Sequence, residues 1–226
     1  MNPPTHKGTL MVFARAPLPG KTKTRLIPAL GADGAAHLHA ELVHRTLASV
    51  TAVKGANVEL WCAPSADDPF LQSCAAKHGI SLHTQHGDDL GARMAHAFDT
   101  ALRTAAWAIL VGTDIPELGT CDVQQAVEHL RGGMDAVIGP AFDGGYYLLG
   151  LRKTSPELFR QIPWGTEQVW PDTRDRLVSL GWSWTTIARH RDVDRPEDLA
   201  YLPEALQSAL GLRVKNASAP CNRSKA

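Results

Sequence analysis

The 226-residue sequence lacks several features that would assign a chain to a class at once. Its four cysteines form no Cys-X-X-Cys pair, so neither a disulfide framework nor a cysteine metal site is predicted, and reduced thiols are the simpler interpretation. No apolar run reaches the roughly 18 residues of a membrane span, and the opening residues lack the apolar core of a signal peptide. We therefore expect a cytoplasmic protein that does not insert into a membrane.

The sequence also lacks an excess of charge of either sign, since 23 basic residues balance 23 acidic ones. This balance argues against a general nucleic-acid binder, which normally carries a basic excess. Acidic residues are missing from the first 32 positions, although five basic residues lie there. Such a local concentration of positive charge favours an anion site. The motifs HExxH, GxSxG and GxGxxG are absent.

Short apolar runs alternate with longer segments of helical periodicity, which predicts an α/β domain with a largely parallel sheet. We expect one domain at residues 9–212, with flexible segments at 1–8 and 213–226, because no repeat or linker interrupts the pattern. The predicted strands cover residues 9–14, 57–62, 80–84, 107–111, 135–139, 146–151 and 184–187. The predicted helices cover residues 32–53, 69–78, 90–104, 122–130, 166–180 and 196–210.

A basic loop follows the first predicted strand, at the place where open α/β sheets bind ligands. Residues 15–26 (RAPLPGKTKTRL) contain the cations Arg15, Lys21, Lys23 and Arg25. Arginine and lysine donors suit phosphate oxygens. The loop does not match a P-loop, because Arg15 stands where that motif requires glycine. A solvated basic turn is the alternative, but the position after the first strand favours phosphate binding.

Carboxylates follow two other predicted strands. Asp114 comes directly after the buried strand at 107–111 and is expected at the rim of the sheet, where a carboxylate can hold Mg²⁺ or Mn²⁺ beside substrate phosphates. Asp192 and Asp194 follow the last predicted strand and are candidates for further metal ligands. For Asp194 a structural interpretation is equally open, in which its side chain caps the helix at 196–210.

Two further segments have both a functional and a structural interpretation. At the start of the helix at 90–104, Asp89, Gly91 and Arg93 are placed to contact a nucleotide, although Asp89 equally suits an N-cap. Residues 142–145 (FDGG) predict a tight turn between two strands. The two glycines also leave an open surface on which an acceptor can bind. The candidate acceptor-binding residues are Asp143, Gly144, Gly145, Tyr146 and Trp164.

These motifs resemble an uncharacterised family of the GT-A superfamily whose members are similar to nucleotide-diphospho-sugar transferases, some of them labelled glycosyltransferases of arsenosugar biosynthesis. The resemblance spans nearly the whole chain in order, through residues 13–26, 89–94, 112–116, 139–147 and 192–199. It implies a single-domain, Rossmann-like GT-A fold with a mostly parallel central sheet and helices on both faces. It also implies a donor nucleotide over the first half of the sheet, Asp114 as the metal-binding acid, and Asp192 or Asp194 as a second ligand.

The resemblance implies a metal-dependent glycosyltransferase that uses a nucleoside-diphosphate-sugar donor, a small-molecule acceptor, and Mg²⁺ or Mn²⁺. Lys21 and Arg25 are expected to stabilise the departing diphosphate, and Asp143 to orient or deprotonate the acceptor. The candidate residues for binding the nucleotide and its phosphates are Ala14, Arg15, Ala16, Lys21, Lys23, Arg25, Asp89, Gly91 and Arg93.

Two other functions stay open at this point. Residues 21–26 also resemble the phosphate loop of phospholactate guanylyltransferases, so nucleotidyl transfer with release of pyrophosphate is the first alternative. A nucleotide-binding protein without catalytic activity is the second.

Overall fold

The computed structural model describes residues 7–212. Of the flexible segments predicted at 1–8 and 213–226, residues 1–6 and 213–226 lie outside the described residues, whereas Gly8 begins the first strand. The strands are β1 (Gly8–Arg15), β2 (Ala56–Ala63), β3 (Ser81–Thr84), β4 (Ala108–Val111), β5 (Ala136–Pro140), β6 (Tyr146–Leu151) and β7 (Trp184–Thr186). The α-helices are α1 (Ile27–Thr51), α2 (Pro69–His78), α3 (Leu90–Ala101), α4 (Thr120–Arg131), α5 (Val169–Ser179) and α6 (Glu204–Ala209). Short 3-10 helices lie at Thr24–Leu26, Pro156–Leu158 and Pro196–Tyr201.

The described strands form one sheet in the order β3-β2-β1-β4-β6-β5-β7. Strand β6 pairs antiparallel with both β4 and β5, whereas the other pairings are parallel. The reason lies in the connection, since the short turn at 141–145 joins β5 to β6 as a hairpin, and a hairpin must reverse the chain. The predicted mostly parallel sheet is confirmed.

Strand β1 shows why helices cover both faces of the sheet. Leu10 and Val12 belong to a buried cluster that includes residues of α1, α2 and α4. Met11 and Phe13 belong to a second cluster, which includes residues of α3 and α5. Successive strand residues point to opposite faces, so a strand covered on both sides is apolar at every position. The predicted single α/β domain with helices on both faces is confirmed.

The topology brings several separate loops to one edge of the sheet. The carboxyl ends of β1, β4 and β5 meet there, together with the amino end of the antiparallel strand β6. The basic loop after β1, residues 112–118 after β4, and the turn at 141–145 therefore converge on the same side.

The prediction of a single helix at 196–210 is wrong. A 3-10 helix at Pro196–Tyr201 is separated from α6 by Leu202 and Pro203. Proline has no N–H and restricts the residue before it to extended conformations, and Leu202 accordingly has ψ 140°.

The start of α1 and the cap of the 3-10 helix at Pro196–Tyr201 also differ from the predictions. Helix α1 begins at Ile27, five residues before the predicted start, and Gly31 (φ 71°, ψ 169°) kinks it in its first turns. The capping interpretation of Asp194 is wrong, because the carboxylate of Asp198 accepts the backbone amides of Asp194 (3.1 Å) and Arg195 (2.8 Å). The side chain of Asp194 is thereby left for another partner.

None of the helices in residues 7–212 combines the length and the apolar character that a membrane crossing requires. Cys62 and Cys74 are buried free thiols and Cys121 is an exposed one.

Candidate active site

A cleft of about 520 Å³ opens at the edge where the loops converge. Its size suits a small molecule, since ligand pockets usually measure roughly 300–1,000 Å³. Most of the predicted site residues line this cleft: Ala14, Arg15, Lys23, Arg25, Arg93, Asp114, Asp143, Gly145, Tyr146, Trp164, Asp192 and Asp194. The early cations and the later carboxylates therefore face the same space.

Five predicted residues lie outside that lining, namely Ala16, Lys21, Asp89, Gly91 and Gly144. Both backbone groups of Ala16 are already used, because its amide donates to Ala63 (2.8 Å) and its carbonyl accepts the hydroxyl of Thr22 (2.8 Å). Lys21 is exposed. The carboxylate of Asp89 accepts the amide of Ala92 at 2.7 Å, which confirms its interpretation as the cap of α3.

The basic loop is held in shape by its own hydrogen bonds. The hydroxyl of Thr22 donates to the carbonyl of Ala16 and accepts the amide of Leu18 at 3.3 Å. The amides of Lys21 and Thr22 also donate to the carbonyl of Leu18, at 3.0 and 3.1 Å. Thr22 is only 4% exposed. The cations that follow Thr22 are therefore presented from an ordered backbone.

Lys23 connects the two halves of the cleft. Its Nζ lies 2.5 Å from Asp114 Oδ1 and donates to the carbonyl of Val193, also at 2.5 Å. The Lys23 side chain is 5% exposed, whereas 53% of the Asp114 side chain remains open to the cleft. The backbone of Lys23 has a left-handed conformation (φ 51°, ψ 43°), which is uncommon outside glycine and marks a locally constrained position.

The contact with Lys23 favours the charged form of Asp114. The walls of the cleft partly desolvate the carboxylate, which by itself raises its pKa. The ammonium of Lys23, and more weakly the guanidinium of Arg15, lower the pKa by more, so the net value lies below the usual range for an aspartate. Asp114 is therefore an anion at neutral pH.

A second ion pair lies beside the first. Arg25 donates to the carboxylate of Asp194. The Arg25 side chain is 63% exposed and that of Asp194 is 36% exposed, and both residues line the cleft. Because exposed ion pairs contribute little free energy, the guanidinium remains available to a bound anion.

Asp192 and Asp143 differ from these ion pairs, because they are two carboxylates of like charge near each other. Burial, and next the negative charge of Asp143, raise the pKa of Asp192 to about 6. Asp143 Oδ1 is itself held by the amide of Gly145 at 2.8 Å. A cation between such carboxylates would relieve their repulsion.

The carboxylates that line the cleft fit a hard divalent cation by their chemistry. Their ligand atoms are all oxygen, and Mg²⁺ is usually bound by one or two carboxylates together with waters and substrate phosphates. Within residues 7–212 no cluster of three His, Cys, Asp or Glu side chains is assembled for a metal. A metal held here would therefore need oxygen ligands from a substrate, and Asp114 with Asp192 or Asp194 would supply the protein's share.

Another part of the lining comes from the β5–β6 turn and from residues 164–166 and 169. Tyr146 contacts the Trp164 ring edge-on, with 6.5 Å between the ring centroids. Trp164 also packs against Gly91 of α3, where an added Cβ would lie 2.5 Å from the indole. The loop is fixed from behind, since the amide of Trp170 donates to the carbonyl of Gly144 at 2.9 Å. Trp164 thereby links the predicted acceptor wall to the predicted nucleotide half.

The lining also contains residues that were not predicted from the sequence, among them His39 and Gln85. His39 of α1 is 4% exposed, and its Nε2 lies 2.9 Å from the carbonyl of Arg15. Burial lowers the pKa of His39, so the ring is neutral, and its Nδ1 has no partner within the described chain. Gln85 donates to the carbonyl of Trp61 at 2.9 Å. His39 lies in an ordinary helical pattern, and only the tertiary structure turns it towards the cleft.

Solved structures share this fold. A protein from Desulfovibrio desulfuricans G20, for which a nucleotide-diphospho-sugar transferase activity has been suggested, superposes with a TM-score of 0.80 at 33% identity, over 93% of this chain and 89% of that one. The 4-diphosphocytidyl-2C-methyl-D-erythritol synthase of Anaerococcus prevotii DSM 20548 superposes at 0.59 with 12% identity, over 89% of this chain and 99% of that one.

Glucosyl-3-phosphoglycerate synthase from Mycobacterium tuberculosis, in complex with Mn²⁺, uridine diphosphate and glucosyl-3-phosphoglycerate, superposes at 0.51 with 12% identity, over 92% of this chain and 81% of that one. At 12% identity, these last two similarities show the fold alone. No curated protein sequence matches the chain.

The fold and the cleft together define a protein of the nucleotide-diphospho-sugar transferase-like class, whose structural neighbours are transferases. A family model described as "Uncharacterized protein conserved in bacteria (DUF2064)" matches residues 46–166, just over half of the chain. The chain belongs to this family, and the resemblance seen in its motifs is confirmed.

Proposed function

We propose that this protein is a metal-dependent glycosyltransferase of the GT-A type that uses a nucleoside-diphosphate-sugar donor. The observation that carries the proposal is the single cleft in which Arg15, Lys23 and Arg25 face Asp114 and Asp192. The relative at 33% identity supports the donor class, because its suggested activity is that of a nucleotide-diphospho-sugar transferase.

In this proposal the basic loop binds the diphosphate. Arg15 and Arg25 offer planar sets of donors to its oxygens, and Lys23 offers a mobile charge. The nucleoside would extend towards Arg93 and Gln85, which also line the cleft. A divalent cation held by Asp114 and by Asp192 or Asp194 would supply charge stabilisation for the departing diphosphate. Lys21 is exposed and does not line the cleft, so the role of stabilising the departing diphosphate is assigned to Lys23 instead.

Asp143 is the proposed acceptor residue. It lies in the turn between β5 and β6, lines the cleft, and keeps its carboxylate fixed through the amide of Gly145. A carboxylate in this position can orient an acceptor hydroxyl or accept its proton, provided that it lies within hydrogen-bond distance. Tyr146 and Trp164 would form the surface beneath the acceptor.

Nucleotidyl transfer is the second candidate, and the charge of the loop favours it. Three cations line the phosphate half of the cleft, which suits a triphosphate at least as well as a diphosphate sugar. In that reaction a phosphorylated acceptor would attack the α-phosphate of a nucleoside triphosphate, and pyrophosphate would leave.

The two reactions are separated by their products. The protein is first screened by thermal shift with nucleotide sugars and nucleoside triphosphates, with and without Mn²⁺, since a bound ligand raises the unfolding temperature by mass action. The stabilising donors are then incubated with pooled small acceptors, and phosphorus NMR follows the products. Glycosyl transfer predicts a free nucleoside diphosphate, whereas release of pyrophosphate would contradict it and support nucleotidyl transfer. If a donor stabilises the protein but no product forms, the result would support a nucleotide-binding protein without catalytic activity.

A further inference from the structure

We propose that Lys23 competes with a divalent cation for Asp114, so that metal and donor phosphate bind strongly only together. This inference rests on the proposed function and adds to it a positioning role for one residue of the cleft. Without a donor, the Lys23 ammonium would form an ion pair with the metal-binding carboxylate of Asp114. When the donor binds, the ammonium would move and pair with the donor's phosphate instead.

The contacts of Lys23 place its charge at the atom that a metal would need. Its Nζ lies 2.5 Å from Asp114 Oδ1, and the nearly buried side chain is held in place by the carbonyl of Val193. The amide of Val193 in turn donates to the carbonyl of Asp114 at 3.0 Å, so the two segments are joined directly. The ammonium is therefore part of the floor of the cleft rather than a solvated surface charge.

An ammonium and a divalent cation on one carboxylate repel each other. Mg²⁺ binds its oxygen ligands at about 2.1 Å, so it would lie within a few ångströms of Nζ in this position. The low accessibility of Lys23 leaves little water to screen that repulsion. A metal that binds without phosphate is therefore opposed by the charge of the lysine, or displaces the lysine from its ion pair with Asp114.

A phosphate removes this conflict, because its oxygens accept both the metal and the ammonium. The four-carbon stem of Lys23 lets Nζ move while the backbone stays anchored through Thr22. Linkage then requires the effect to be reciprocal, so that phosphate strengthens metal binding as much as metal strengthens phosphate binding. Couplings of this kind typically change affinities about 5-fold to 150-fold.

The test is to remove the ammonium and measure each ligand separately. Lys23→Met keeps most of the stem, and Lys21→Met removes the same charge from an exposed position of the same loop. Mn²⁺ affinity is measured without nucleotide by electron paramagnetic resonance of the free ion. Pyrophosphate affinity is measured by calorimetry in the presence of a chelator, because this probe carries the diphosphate without any base. Circular dichroism and thermal unfolding establish folding, and Lys23→Gln is a second neutral variant should Lys23→Met unfold.

We expect Lys23→Met to bind Mn²⁺ about tenfold more tightly than the wild type and pyrophosphate about tenfold more weakly. Lys21→Met should leave Mn²⁺ binding close to the wild-type value. A merely structural lysine would weaken both ligands together, and that result would overturn the inference. Unchanged or weaker Mn²⁺ binding in both Lys23 variants would also overturn it. A thermal-shift measurement on the wild type separates this inference from the proposed function. If a nucleotide stabilises the wild type only when metal is present, the proposed function stands even when the inference about Lys23 is overturned. If no metal-dependent stabilisation is seen, the proposed function fails as well.

Discussion

The shape of the basic loop depends on one buried hydroxyl, and replacing it tests whether loop order contributes to ligand binding. Thr22→Val keeps the size and shape of the side chain and changes no charge. It removes the hydrogen bond to the carbonyl of Ala16 (2.8 Å) and leaves the amide of Leu18 without the hydroxyl that it contacts at 3.3 Å. The amide of Leu18 keeps its hydrogen bond to the carbonyl of Ala16 at 2.9 Å, so about one net hydrogen bond is lost and the free energy of unfolding should fall by about 0.5–1.5 kcal/mol.

The same change should weaken binding of phosphate ligands. In the variant, part of the free energy of binding must order the loop, and a cost of about 1.4 kcal/mol lowers affinity tenfold. Urea unfolding measures the stability, and calorimetry with uridine and guanosine diphosphates measures the affinity. Thr24→Val is the matched control, because Thr24 is exposed in the same loop. If Thr22→Val binds both nucleotides as tightly as Thr24→Val does, loop order does not contribute to binding and this reasoning is refuted.

Two further predictions concern stability. Gly144 has φ +90°, and an added Cβ would lie 2.4 Å from the carbonyl oxygen of Glu167, whereas Gly181 has φ +64° and open space around it. Gly181→Ala should therefore cost about 1–2 kcal/mol of strain, and Gly144→Ala about 1–3 kcal/mol more, as measured by urea unfolding. Partial burial raises the pKa of Asp135. The hydrogen bonds from Lys153 and Ser183 lower this pKa by more, so that it lies below its ordinary value of 3.8. A carboxylate with a lowered pKa stabilises the fold above that ordinary value and loses this contribution as the pH falls through the folded-state pKa. Asp135→Asn should thus destabilise the protein at pH 7 and lose this difference from the wild type below about pH 4.

Each of these predictions has a clear contrary result. Equal costs for the two glycine variants would show that the turn at 141–145 is free to move away from residue 167. A destabilisation by Asp135→Asn that is the same at pH 7 and in acid would show that the charge of the carboxylate is irrelevant to its role.

The sequence predicted the sheet well because both faces of its central strands are buried. Apolar runs such as residues 107–111 are typical of strands that helices cover on both faces. The break at Leu202 was missed although Pro203 signals it locally, since proline cannot continue the 3-10 helix before it. The early start of α1 was hidden by Gly31, which is a poor helix residue and forms a kink there.

For the residues that line the cleft, position at the end of a strand was a better guide than the chemical type of the side chain. Arg15 and Asp114 were predicted to lie together because Arg15 is at the end of β1 and Asp114 follows β4 of the same sheet, and both line the cleft. The pairing of Lys23 with Asp114, and not of Lys21, depends on the left-handed turn at residue 23, which no spacing rule encodes. His39 was missed because a helix pattern shows that a position is buried but not which cavity its polar atom faces.

The most direct test of the account is the effect of Mn²⁺ on nucleoside-diphosphate binding to the wild type, to Asp114→Asn and to Asp99→Asn, whose carboxylate is exposed on α3. Calorimetry should show that Mn²⁺ strengthens binding to the wild type and to Asp99→Asn. Asp114→Asn should bind the nucleotide through the basic loop alone and show no strengthening by Mn²⁺. If Asp114→Asn gains as much affinity from Mn²⁺ as the wild type does, Asp114 is not the metal ligand and the central claim is contradicted.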